Sequence, residues 1–195
     1  MNLRTFIAME VPETHKQAIL AYLGSWSRLH KNGINWVKPE NLHLTMLFIG
    51  DTQSGDIPQL QEALFNLMIK RAGFRMRCLG FELFPAREPR LIWVKLDTAD
   101  KEIYSFAKDL NRTVREFGYE PDAKPLKLHI TVGRIKVQQP VWLEQEIMQS
   151  ALPSEPAVYD EITLYQSMLK PDGPVYTPLQ QYRMIKRNQD KILED

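Results

Sequence analysis

Apolar and polar positions alternate in "RTFIAMEV", and the run is rich in strand formers, which predicts a strand over residues 3–11 ended by Pro12. The next stretch changes period. Ala18, Ile19, Tyr22, Leu23, Trp26 and Leu29 recur at helical spacing, a stripe closed by Gly33. After "WVKPEN" a second alternating run begins at residue 41, "NLHLTMLFIG", and ends at Gly50-Asp51. Residues 56–72 return to helical spacing, and strand-like runs "FRMRCLGFELF" and "RLIWVKL" follow on either side of the turn-rich "PAREPR". Residues 99–117 form a long amphipathic stripe with Ile103, Phe106, Ala107, Leu110 and Val114. A polar link then leads to "KLHITVGRI", a short helix is predicted over 141–151, "VYDEITLYQSML" reads as one strand, and "PDGPVY" as a turn into a last strand, "TPLQQYRMI". The charged tail, 186–195, reads as frayed.

Strands and helices do not alternate in the steady rhythm of a doubly wound sheet. The pattern predicts an α+β fold with antiparallel sheets and helices on the outside, and the half-chain spacing of the similar segments "NLHLTMLFIG" and "KLHITVGRI" suggests two pseudo-symmetric lobes. Residues 1–185 would make one two-lobed domain. At 195 residues the chain is long enough to bury most of its apolar surface. A formal net charge of +1 excludes a broadly basic, nucleic-acid-coating surface, so a phosphate ligand would need a local constellation. Cys78, the single cysteine, excludes an internal disulfide and a multi-cysteine metal site, and its apolar setting predicts an inert buried thiol. The opening is too short and interrupted for a signal peptide, and no apolar run approaches the ~20 residues of a membrane span, so a cytoplasmic protein without membrane contact is expected.

Two strands carry unexpected chemistry. His43 and Thr45 in "HLTM", and His129 and Thr131 in "HITV", stand two residues apart, so each pair shares one face of its strand. Leu44, Met46 and Phe48 fall on the opposite face of the first strand, and Leu128, Ile130 and Val132 on that of the second. The second histidine follows the first by 86 residues, close to half the chain. A single such strand reads as a structural histidine at a sheet edge, whereas two copies point to a site. Two imidazoles, with ordinary pKa values of about 6.5, suit a general base and a general acid on opposite sides of a reacting centre. Two hydroxyls suit the free oxygens of a phosphate. Zinc competes, but no third ligand stands in recognisable spacing.

These tetrapeptides resemble the signature of the two-histidine phosphoesterases. With "RTFIAMEVP", "WVKPENLHLTMLFIG", "PRLIWVKL" and "LHITVGRI", the chain looks like the branch of RNA 2′,3′-cyclic phosphodiesterases, also called 2′-5′ RNA ligase-like proteins. The resemblance implies a two-lobed fold whose antiparallel sheets flank a central cleft that holds the active site, and hydrolysis of an RNA 2′,3′-cyclic phosphate to a 2′-phosphate without metal; a monomer without a cofactor is expected. It implies His43 as proton donor to the departing ribose 3′-oxygen, His129 as the base that activates water, and Thr45 and Thr131 as phosphate contacts. The partner would be RNA or an oligonucleotide with a cyclic phosphate end. Reverse 2′-5′ joining, a small cyclic nucleotide substrate, and a non-catalytic RNA-binding module are the alternatives. The chain departs from the family where a basic residue often follows the first tetrapeptide (Leu47, which parity puts on the groove face) and where a proline often precedes the second histidine (Leu128). Arg134 matches a family position, yet strand parity turns it away from His129 unless a bulge intervenes. Trp36 is a candidate for base stacking, Phe48 by parity a core residue, and Arg90, with Arg87, a candidate for backbone contact. His15 and His30 read as surface histidines of the first helix.

Overall fold

The structure, a computed structural model, describes residues 1–29, 33–122, 124–152, 155–171 and 173–185. Its elements run β1 (Asn2–Glu10), α1 (Glu13–Leu29), β2 (Ile34–Trp36), a single 3₁₀ turn (Pro39–Asn41), β3 (His43–Gln53), α2 (Ile57–Met68), β4 (Phe74–Phe84), β5 (Leu91–Asp97), α3 (Glu102–Glu116), β6 (His129–Ile135), α4 (Val141–Gln149), β7 (Ala157–Tyr159), β8 (Glu161–Lys170) and β9 (Gly173–Arg183). The helices bury the stripes their spacing dictates. Ile103, Phe106, Leu110 and Val114 of α3 are fully enclosed, while its other face is charged. In α1 the stripe is His15, Ile19, Leu23 and Trp26, spaced four, four and three residues apart. His15 is thus a core residue and not a surface one: its ring bonds the Tyr159 hydroxyl at 2.9 Å and the Glu155 carbonyl at 2.9 Å. His30 and the tail from residue 186 lie outside the described residues.

The strands pair antiparallel in the order β7-β4-β5-β6-β3-β1-β8-β9, with β2 added on β6. Only Asp160 separates β7, at one end of this order, from β8 near the other, so the sheet must curl until its ends approach. That explains why "VYDEITLYQSML" is two strands and not one: before Asp160 the chain pairs with β4, after it with β1. The halves therefore join as one continuous curled antiparallel sheet with the helices packed against it, in keeping with the expected two-lobed α+β fold. They join at a single register pair of β3 and β6, Leu44 with Ile130. Beyond it β2 takes the place of β3 along β6, pairing Trp36 with Gly133 and Ile34 with Ile135. Short and flanked by polar residues, β2 carried no periodic signal. Side chains on one face of the sheet, Ile7, Leu44, Val94, Ile130 and Ile162 among them, share one core with the helices, and Cys78 is buried in it. The opposite face lines a groove. No helix among the described residues is long and apolar enough to cross a membrane.

Candidate active site

Leu44 and Ile130 are each the middle residue of a His-x-Thr, so the one pair that joins the halves is flanked on both sides by motif residues. Both leucine and isoleucine point into the core, which turns all four polar side chains to the groove. The register puts His43 opposite Thr131 and Thr45 opposite His129. The two residues then lie on a diagonal across the pair of strands, roughly 7–8 Å apart at Cα.

Each ring is held the same way. His43 Nδ1–H donates to the Asn41 carbonyl at 2.7 Å, and His129 Nδ1–H donates to the Lys127 carbonyl at 2.8 Å. In both cases the acceptor is two residues back, and the bond leaves Nε2 as the nitrogen facing the groove. His43 Nε2 lies 3.0 Å from Thr45 Oγ1. Burial lowers the pKa of both imidazoles below the ordinary 6.5; main-chain hydrogen bonds partly offset it.

Both strands also bulge at the same place. Opposite β1, Ala8 pairs with Thr45 and Ile7 with Leu47, so Met46 is the extra residue. Opposite β5, Trp93 pairs with Thr131 and Ile92 with Gly133, so Val132 is the extra residue. A bulge reverses side-chain parity downstream. Leu47, expected on the groove face, is buried at 6% exposure, and Phe48, expected in the core, is 49% exposed. The absent basic residue at position 47 therefore opens no gap in the groove. In β6 the reversal brings Arg134 to the groove, where its charge acts on His43 and it hydrogen-bonds Tyr176. Phe48 and Arg134 hold equivalent positions in the two halves, one aromatic and one cationic.

Aromatic rings wall the site. Phe6 lies 5.2 Å from the His43 ring and Tyr176 meets that ring edge-on at 5.3 Å. On the other side Trp93 packs 4.4 Å from the His129 ring and stacks on Phe84 at 4.3 Å. Burial raises the hydroxyl pKa of both Tyr165 and Tyr176. Trp36 is not in this wall: it stacks on Trp26 at 6.0 Å and packs against the core, drawn there by the pairing of β2 with β6. Arg90 sits on the rim beside the end of β6, its carbonyl accepting from Ile135, its side chain open to solvent and 3.9 Å from Glu88. Among the described residues no grouping of three or more histidine, cysteine, aspartate or glutamate side chains is arranged to hold a metal ion. Sequence reading missed Glu10, Trp93, Tyr165 and Tyr176, which reach the site through the register of four different strands, and Lys127, which lies two residues before His129 and whose carbonyl accepts its Nδ1–H.

A family model described as "LigT like Phosphoesterase" matches the chain twice in tandem, over residues 10–93 and 94–176. Each match holds one His-x-Thr strand. An RNA 2′,3′-cyclic phosphodiesterase of Thermotoga maritima is 29% identical over 180 residues, covering 91% of this chain and 93% of its own. One of Archaeoglobus fulgidus is 28% identical and covers 91% and 98%. The crystal structure of TT0787 of Thermus thermophilus superposes with a TM-score of 0.78 at 28% identity, covering 93% of this chain and 98% of that one.

Proposed function

Because the chain belongs to the LigT-like phosphoesterase family, we propose that it is an RNA 2′,3′-cyclic phosphodiesterase whose two motif histidines divide the proton transfers. The observation that carries the reading is the repeated anchoring of Nδ1 on a main-chain carbonyl two residues back, which leaves Nε2 of each motif histidine for proton transfer. His129 Nε2 takes a proton from water, whose oxygen attacks phosphorus. The bond from phosphorus to the ribose 3′-oxygen breaks, and His43 Nε2 gives that oxygen its proton. The product is a 2′-phosphate beside a free 3′-hydroxyl, and both rings reset by exchange with solvent. Thr45, Thr131 and Arg134 hold the non-bridging oxygens as negative charge moves between them. The same groups perform 2′-5′ joining when a 5′-hydroxyl of a second strand replaces water.

The acid, the base and the oxyanion contacts are all side chains, so the chemistry has no step that needs a cation. Incubation of the protein with EDTA and an RNA ending in a 2′,3′-cyclic phosphate is expected to give an RNA 2′-phosphate. A 3′-phosphate product would reverse the bond assignment. Turnover lost on chelation and restored by zinc or magnesium would replace the mechanism with a metal-dependent one. Turnover of a mononucleotide cyclic phosphate but not of the RNA end would move the substrate to a small nucleotide, and tight binding without turnover would reduce the protein to a binding module.

A further inference from the structure

The two motif strands match in bulge, in ring anchor and in pairing with one long flanking strand, yet they differ in the charge beside each imidazole. Opposite His43, β1 carries Glu10; opposite His129, β5 carries Lys95. Glu10 is fixed in place, because the Tyr165 hydroxyl and the Thr163 hydroxyl both donate to its Oε1. Lys95 is answered by Glu82 of β4 at 3.0 Å. The cation that bears on His129 is Lys127, whose carbonyl anchors the ring. Its ammonium sits 4.3 Å over the Phe84 ring and 5.9 Å from that of Trp93, on the wall that also packs against His129.

Two identical imidazoles sharing one proton would spend half their time in the wrong arrangement. We infer that Glu10 and Lys127 are positioning residues that prevent this, the carboxylate keeping the proton on His43 and the ammonium keeping it off His129. The inference rests on the two-histidine reading above. The charge of Glu10 acts on His43 against the effect of burial, and that of Lys127 acts on His129 in the same sense as burial. The other charged groups facing His43 are His129 and Arg134 of β6, and both oppose Glu10 in the free protein. A bound phosphate anion takes up Arg134, and with His129 neutral Glu10 is left unopposed. Tyr176 of β9 and Tyr165 of β8 stay protonated beside it, their hydroxyls pushed to higher pKa by burial.

A purely structural Glu10 would serve only to receive the Tyr165 and Thr163 hydroxyls. Glutamine offers the same acceptor oxygen without the charge, so Glu10→Gln separates the two roles. The four histidines of the chain are titrated by NMR in the free protein, with His43→Ala and His129→Ala assigning the signals. Glu10→Gln is expected to lower the His43 midpoint by about 0.5–1 pH unit and to leave His129 nearly still. Lys127→Met, at an exposed position, is expected to raise the His129 midpoint by about half a unit and needs no buried group to be replaced. In kcat/KM the first variant shifts the alkaline limb and the second the acid limb, each by the same amount, with a loss at the optimum of about two- to tenfold. An unmoved His43 midpoint in folded Glu10→Gln, or an unmoved His129 midpoint in Lys127→Met, overturns the inference. The titrations decide it even if no RNA is turned over, whereas absent turnover with the expected midpoints overturns the proposed activity alone.

Discussion

At the scale of single residues, the main chain decides which ring nitrogen of each motif histidine is left for chemistry. Asn41 and Lys127 carbonyls each accept one Nδ1–H, which leaves Nε2 for the proposed proton transfers. If His43 is the acid and His129 the base, His43→Ala and His129→Ala should each cost roughly 10²–10⁴-fold in kcat/KM. The double variant should lose little more than the worse single one, because the two act on one displacement. Steady-state kinetics on a cyclic-phosphate RNA end checks both. The pH profile follows from burial. Both imidazoles titrate below 6.5 in the free protein. Activity rises as His129 loses its proton and falls as His43 loses its own, so the kcat/KM optimum should lie on the acid side of pH 6.5. In kcat the limbs should move to higher pH, since bound phosphate favours both imidazolium forms. A kcat/KM optimum well above neutrality would contradict the burial. The four motif residues were legible in the sequence because their chemistry and period-two spacing are local. Glu10 and Lys127 were not, because their meaning lies in which residue stands across or beside them.

At the scale of elements, the decisive feature is the bulge after each motif threonine. It explains why parity failed at Leu47 and Phe48 and why Arg134 reaches the groove. A single sequence carries no mark of an extra residue in a ladder, so the strands were legible and their downstream faces were not. Gly133 follows the second bulge at a tight spot: an added Cβ would meet Ile34 Cγ2 and Ile92 Cδ1 at 3.2 Å and Trp36 Cε3 at 3.3 Å. Gly133→Val should therefore destabilise the fold by about 1–3 kcal/mol through overpacking, read as a lower urea midpoint. It should also weaken RNA turnover at temperatures where the variant stays folded, because the next residue is Arg134. Arg134→Ala leaves the core untouched and should lower kcat/KM by about tenfold or more with the unfolding midpoint unchanged, the loss expected for one charge-assisted contact. An unaltered kcat/KM would remove Arg134 from the phosphate site.

At the scale of the whole molecule, two similar halves share one core and one site. The 86-residue spacing of the motifs pointed to that duplication, and the tandem family matches over 10–93 and 94–176 each hold one motif, although β4 and β5 cross to the side of β6, and β8 and β9 to that of β1 and β3. What the spacing did not convey is that the halves fuse into a single curled sheet, joined where Leu44 meets Ile130. Core residues from Ile7 to Met184 form one cluster across both halves, so we propose that residues 1–185 unfold as one domain. Fluorescence and circular dichroism should report coincident urea transitions, and separate midpoints would divide the halves. In the proposed mechanism one motif strand supplies the acid and the other the base, and a substrate whose leaving group departs without protonation isolates them. On a nitrophenyl phosphodiester, His43→Ala should regain most of the wild-type rate while His129→Ala stays slow, since water must still be activated. Rescue of His129→Ala instead would exchange the two roles, and full activity of both variants on the cyclic RNA end and on this ester would contradict the two-histidine mechanism itself.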